Sequence, residues 1–476
     1  MDQIKFVELR GDQSRTEKDW QAIRLREIMG YLNAGTVPAD REAVFRDYYE
    51  QYALARWTWP ENFTKLPDFR KELRLEFVIA RGKPVHGQLQ QIVLGLFSRI
   101  VNDEGGPYHP AARMNALLAI ADLNAVESTN IREPPTPLPQ AARILVDTLK
   151  TENFPDALSV AALVGLIRHA VLGIADQQMV TGELLPELIE LASTKLPPSG
   201  RTLVGHQWLR ARAIEVLGLL GLPGDQAQVG KLLIDIVGAK DEPLLVRRSA
   251  ARALGMLDYQ GITGMDPDRI LAQLGQFALD ACEAEMAELE REIQEGELPP
   301  GPGTRPGYPG YPGYPGYSPY AGAMEGYGYE SSGYAGTYTD DTMPGMGPPD
   351  MPGYPYPGVR TQAKQTQPDR TLGNRRRLKS SINAVFFGLT SVDEFMWVPS
   401  NRPMDGVAVL IPDGPSKEKM QKLFERMQAL LTLCDTKDLD KPTLRDRIKA
   451  EAEQLRAWVD AASQVSQAPG GVSDQT

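Results

Sequence analysis

Residues 246–257 read VRRSAARALGML, and residues 209–220 read LRARAIEVLGLL. Aligned, Arg210 falls on Arg247, Ala213 on Ala250, Leu217 on Leu254 and Gly218 on Gly255, each pair 37 residues apart. Apolar residues recur at intervals of three and four, the period of a helix buried along one face. Residues 112–123, ARMNALLAIADL, hold the same frame, with Arg113 in the arginine slot and Ala116 in the small slot. Residues 158–167, LSVAALVGLI, follow it without the arginine. Each frame is preceded by another amphipathic stretch, at 86–102, 138–150, 185–196 and 226–238. Two such helices form a hairpin that cannot bury its own apolar face, so hairpins must stack. Ala213 and Ala250 let helices approach, and Leu217 and Leu254 fill the space between layers. The arginine at the start of each second helix reaches an acid in a turn of its own or a neighbouring hairpin. Asp241 is the acid so placed for Arg247.

The segments DEPLLVRRSAARALGML and HPAARMNALLAIADL resemble HEAT repeats, including the HEAT-like group first named for phycobilisome lyases. The resemblance covers residues 84–258, and the chain is also similar to uncharacterised bacterial HEAT-repeat proteins that carry no assigned activity. It implies an all-α, HEAT-like helical-hairpin solenoid of the armadillo-like kind, whose groove holds another protein. The frame at 158 lacks the arginine, and the irregular spacing of the frames places insertions in the turns, such as REPPTPLP at 132–139.

The flanks follow from composition. Residues 1–83 read as an N-terminal helical cap, with two or three helices over 16–81 and Asp40 as an N-cap. Residues 84–295 carry the repeats. Residues 299–358 contain no Leu, Ile or Val but eleven of the 17 tyrosines, so they cannot offset the entropy of ordering. A disordered Tyr/Pro/Gly-rich segment is predicted over 296–370. Helical periodicity returns over 371–463, and 464–476 reads as a tail. Residues 267–295 look like a first helix lacking its partner, and 374–390 like a second helix lacking a first. The simplest arrangement makes 299–370 an insertion between them. The acidic run 283–297 and the basic cluster Arg375, Arg376, Arg377 and Lys379 then dock two neighbouring helices. Within 391–413, GVAVLIP reads as one strand or a packed loop.

The formal charge of −11, and no basic stripe seen along the repeats, argue against nucleic acid as a partner. Two cysteines without short spacing exclude a cysteine zinc site. Four histidines lie too far apart for a local ligand pair and read as packing or turn residues. No catalytic, cofactor-binding or metal-binding residue is predicted, and no cofactor. No run is long and apolar enough to span a bilayer. The polar opening MDQIKFVELRGDQSRTEKDW has no leader-like core, so the default compartment is the cytoplasm, with export if the natural start lies upstream.

Tyr308, Tyr311, Tyr314 and Tyr317 recur every three residues and would align on one side of a polyproline helix. They are the candidate partner contacts. The expected function is that of a non-enzymatic scaffold holding one or more unknown protein partners. The alternatives are a structural or envelope-associated protein self-associating through the PGY segment, and an enzyme whose site is not recognisable from sequence.

Overall fold

A computed structural model describes residues 5–11, 14–130, 133–151, 154–297, 369–391 and 406–465, and these are mostly helical. Helix α1 (Glu17–Ile23) starts at Thr16, whose hydroxyl accepts from the Asp19 N–H while the Asp19 carboxylate accepts from the Thr16 N–H. This reciprocal cap satisfies two donors that the first turn leaves open. A π turn, Arg24–Ile28, leads into α2 (Met29–Ala34). Helix α3 (Glu42–Tyr48) widens into a second π turn, Tyr49–Ala53, and 3-10 turns follow before α4 (Leu66–Ala80).

Residues 40–60 are therefore not one regular helix. The widened turn takes Tyr48, Tyr49 and Tyr52 inside together, each no more than 4% exposed. Trp20 stacks on Tyr52 with ring centres 5.8 Å apart. Asp40 caps nothing: it lies within a 3-10 turn, Ala39–Arg41, that begins directly after Pro38. Its carboxylate lies 3.6 Å from the Arg41 Nε instead.

The middle of the chain is built from helix pairs. They are α5 (Pro84–Val101) with α6 (Pro110–Ala121), and α7 (Pro139–Lys150) with α8 (Asp156–Leu172). A short α9 (Gln177–Met179) leads through a π turn to α10 (Leu185–Ser193), which pairs with α11 (Leu203–Leu220). Then α12 (Gln228–Gly238) pairs with α13 (Leu244–Leu254). Proline stands first in α5, α6 and α7, where its missing N–H is not needed and its φ is already helical. Within each pair the helices pack together, and the second members also pack in a row, α6 on α8, α8 on α11 and α11 on α13. Ala213, Ala250 and Leu217 are fully buried in this packing. The loop between α6 and α7, which holds REPPTPLP, contributes a two-stranded antiparallel ribbon, β1 (Asn124–Val126) with β2 (Thr136–Pro137).

Helix α14 (Pro267–Glu297) is followed, in the described chain, by α15 (Leu372–Thr390), α16 (Pro415–Asp435) and α17 (Lys441–Val465). Helix α15 extends the row by packing on α13, α16 packs on α15, and α17 on α16. The side chain of Leu274 in α14 approaches Gly388 of α15, and Trp458 of α17 lies over Gly275 of α14. The run GVAVLIP is a packed 3-10 turn, Val407–Leu410, with Val407 fully buried.

Residues 1–290 and 371–476 belong to one compact unit and 291–370 to a second. Of the second unit the described residues are the end of α14, where Arg291 pairs with Glu295 at 2.5 Å, and residues 369–370.

Four buried arginines tie the helix pairs. Arg113 donates to the Val101 carbonyl at 2.6 and 3.0 Å and to Asp103 at 2.6 Å. Arg210 donates twice to the Ala192 carbonyl, at 3.0 and 3.1 Å, and binds both oxygens of Glu242 at 2.7 and 2.8 Å. Arg247 donates to the Val237 carbonyl at 2.8 Å and to Asp280 at 2.7 Å. Arg375 donates to the Cys434 carbonyl at 2.8 Å. Each reaches the last turn or end of a neighbouring helix, where carbonyls lack an internal donor and the helix dipole favours a cation. Asp241, expected opposite Arg247, instead holds Lys195 at 2.7 Å. Arg210 and Arg247 both reach forward, to acids 32 and 33 residues on, rather than to the nearest acid in their own turn.

His169 in α8 is 1% exposed, with Nε2 3.1 Å from the Ala121 carbonyl at the end of α6. That partner is an acceptor, so Nε2 carries the proton. Burial first, and then the neighbouring charge of Arg168, push the imidazole down to about 4. The unfolded chain binds this proton near pH 6.5, so the stabilisation is complete above that value and is lost as the pH falls toward 4. A chain with native His169 is expected to lose about 2 kcal/mol between pH 7.5 and pH 5 from this group. Urea titrations at both pH values check it: His169→Gln should remove that part of the slope, and an unchanged slope would contradict the assignment.

Candidate functional site

On α11, Trp208, Arg212 and Glu215 follow at helical spacing, and each is partly exposed. On α13, Arg248, Ser249 and Arg252 do the same. Because α11, α13 and α15 lie side by side, these residues meet. Arg212, Glu215, Arg248, Ser249 and Arg252, with Ser380 of α15, surround a shallow cleft of about 100 Å3. Its remaining wall is apolar, from Ala253, Met256 and Ala384.

The guanidinium groups are held in place. Arg212 pairs with Glu215 at 2.6 Å and lies 5.5 Å from the Trp208 ring centre. Its Nε is buried and has no hydrogen-bond partner. Arg248 donates to the Ser380 hydroxyl at 3.0 Å. Arg252 sits 4.6 Å above the Phe387 ring, an arrangement that favours a cation electrostatically. One helix further along the row, Arg168 of α8 donates to the Ala121 carbonyl at 2.9 Å and to the Asn124 side chain. Among the described residues, Arg212, Arg248, Arg252 and Glu215 thus line the cleft. Such an arrangement can bind an anionic group through planar, forked hydrogen bonds.

No basic stripe runs through the sequence of the repeats, yet the fold gathers three arginines at this one place. Arg212 and Arg248 stand far apart in the chain, and only the register between helices joins them. The 37-residue frame carried a usable signal: it sets Arg212 against Ser249 and Glu215 against Arg252, all four lining the cleft.

Tyr308, Tyr311, Tyr314 and Tyr317 lie outside the described residues. The basic cluster near 375 is divided among tasks. Arg375 caps α16, Arg377 binds Glu285 with both oxygens at 2.8 and 3.1 Å, and Lys379 binds Asp435 at 2.6 Å. The acidic run is similarly engaged, with Glu283 on Arg456 at 2.5 Å and Glu290 on Arg445 at 3.7 Å.

The four histidines are spread through the fold. His109 accepts from the Ala111 N–H at 3.2 Å and stacks on Phe63 at 4.2 Å. His206 reaches the Thr194 carbonyl at 2.8 Å, and His86 lies 3.6 Å from Glu127. Among the described residues no three His, Cys, Asp or Glu side chains cluster to hold a metal ion. Cys282 and Cys434 are buried, and burial pushes the Cys434 thiol up to about 12. No described helix is long and apolar enough to cross a membrane. No family model, curated protein or solved structure matches the chain.

Proposed function

We propose that the chain is a non-enzymatic scaffold, a HEAT-like α-solenoid that holds a protein partner along the face formed by its second helices. The observation that carries this reading is the cleft across α11, α13 and α15, where Arg212, Arg248, Arg252 and Ser380 present polar groups from three successive helices. A shallow surface made by repeating helices suits an extended partner better than a small molecule, which binds in concave sites that enclose most of its surface. The forward-reaching ties Arg210–Glu242 and Arg247–Asp280 support the solenoid part of the reading, because they link one hairpin to the next. The packing of α15 on α13, across the intervening residues 291–370, supports placing that segment as an insertion in the array.

The test is site-specific photocrosslinking in native cells. A photoreactive residue replaces Trp208, Ser249 or Ser380 on this face, or Gln140 or Lys231 on first helices. Protein adducts should form from the three second-helix positions. Adducts only from Gln140 and Lys231, or none from any position, would defeat the proposal.

A further inference from the structure

We propose that the surface formed by residues 58–63 and the turn 106–109 is a receptor for an extended peptide from a partner protein, of the pattern aromatic–valine–x–x–arginine, and that residues 6–10, FVELR, occupy it as an internal stand-in. This surface uses none of α11, α13 and α15, so the proposal goes beyond the scaffold reading. Residues 5–11 belong to no helix or strand and lie on the body, exposed or half-buried. Their backbone is held at every second residue, the period of an extended chain. The Val7 N–H donates to the Pro107 carbonyl at 2.7 Å. The Leu9 N–H donates to the Thr58 hydroxyl at 2.8 Å, and the Leu9 carbonyl accepts from the Trp59 indole N–H at 2.7 Å. Main-chain bonds of this kind hold an extended peptide of any sequence, and side-chain pockets choose among sequences.

The pockets define the pattern. Phe6 meets the His109 ring edge-on at 4.9 Å, and His109 in turn lies on Phe63. Gly106 leaves room for the valine: a Cβ there would lie 2.7 Å from the Val7 Cγ2. Arg10 donates to both oxygens of Glu61 at 2.8 and 3.2 Å and sits 4.7 Å above the Trp59 ring. A planar guanidinium satisfies the fork and the stack together, which lysine does not. Glu8 is exposed and Leu9 is held through its backbone, so these positions can vary. The receiving side is built for a ligand. Thr58 is 2% exposed and spends its own proton on the Ala55 carbonyl, which leaves its oxygen as an acceptor for an incoming N–H. With residues 6–10 withdrawn, that oxygen, the Trp59 N–H and the Glu61 carboxylate all lack their complement, and unpaired buried polar groups favour a replacement. The internal copy competes through its tether, because short linkers give effective concentrations on the order of mM. The native chain therefore excludes weak binders.

Fluorescence anisotropy on the full chain tests this, with the fluorescein-labelled peptide KFVELRG, residues 5–11. The opened variant Phe6→Ser with Arg10→Ser should bind it saturably and at least 10-fold more tightly than the native chain, with native circular dichroism. Phe6→Ser alone, expected to gain at least threefold, serves if the double variant melts early. The peptide KWVSSRG, which keeps only the pattern, should bind the opened variant within threefold of KFVELRG. Adding Glu61→Arg to the opened variant should weaken KFVELRG at least 10-fold, and KFVELEG should then bind at least threefold better than KFVELRG. Equal binding by native and opened chains overturns the proposal, as does no saturable binding by a folded opened chain. Failure of KWVSSRG, or indifference to Glu61→Arg, overturns the proposed pattern and the proposal with it. Sedimentation of the native chain at high concentration separates the two sources of such a segment. A monomer is expected; a dimer that Glu61→Arg disperses would overturn the foreign partner in favour of exchange between copies.

Discussion

Arg210→Ala is expected to lower the free energy of unfolding by about 3–5 kcal/mol, because it takes from a buried carboxylate its forked partner and leaves only Lys195 at 3.5 Å. Arg210 and Glu242 are 2% and 5% exposed, and the pair is forked, with two nearly equal hydrogen bonds. The same guanidinium supplies two donors to the Ala192 carbonyl at the end of α10. Removing it leaves three acceptors short of donors in a region water does not reach. Burial pushes the Glu242 carboxyl up, but the hydrogen bonds and charge of Arg210 outweigh it and hold the group below its ordinary value. The pair therefore stabilises the fold above the ordinary carboxylate range and gives that stability up as the pH falls through the lowered value. Without Arg210, only Lys195, whose Nζ lies 3.5 Å from Oε1, opposes burial, and the stabilisation above the carboxylate range should shrink. The companion variant Arg210→Met with Glu242→Leu removes both charges and should recover at least 1 kcal/mol relative to Arg210→Ala. Urea denaturation of the three chains measures this. A cost below about 1 kcal/mol for Arg210→Ala would mean the pair does not tie its two hairpins.

Gly255→Leu should cost about 3 kcal/mol or more, through displacement of α15 from α13. A Cβ at Gly255 would lie 2.3 Å from the Phe387 carbonyl oxygen, and one at Gly388 would lie 2.5 Å from the Ala251 oxygen. Both obstacles are backbone, so no side chain can swing aside. The two glycines face each other's helices, and the close crossing of α13 and α15 depends on both. The expected signature is an early loss of the signal from Trp458, which packs over Gly275 of α14 and donates to the Lys419 carbonyl of α16, ahead of the main thermal transition. Gly95→Ala in α5 is the control: nothing lies within 4 Å of its added Cβ, and it should stabilise by about 0.4–1 kcal/mol. If Gly255→Leu melts with the native chain, the crossing is looser than these distances state.

Much of the helical content could be read from spacing alone. The stretches 86–102 and 138–150 correspond to α5 (Pro84–Val101) and α7 (Pro139–Lys150), because proline marks their starts and the apolar period their extent. The N-terminal segment was harder. Two π turns rotate the buried face partway along, and a fixed period cannot show that. The ribbon at Asn124–Val126 and Thr136–Pro137 is too short to alternate visibly. Asp241 lies near Arg247 in sequence, whereas Arg210 and Arg247 reach acids of the next pair or helix, unlike Arg113, which binds Asp103 in its own turn. The arginine cleft was illegible for a related reason: its members belong to different helices, and the distance between helices is a tertiary fact. Only the 37-residue frame, read for its polar positions as well as its apolar ones, held a trace of it.

The unit assembled from residues on both sides of 291–370 has a consequence for biogenesis. During translation, the helices through α13 emerge with the surface that will receive α15 still bare. At about 5–20 residues per second, the roughly 120 residues between the end of α13 and the start of α15 take on the order of 10 s to appear. Through that interval Gly255, Leu254 and their neighbours offer an uncovered seam to any passing hydrophobic chain. Synthesis in cells short of ribosome-bound chaperones should therefore yield aggregates nucleated at that seam, even though the finished molecule closes it.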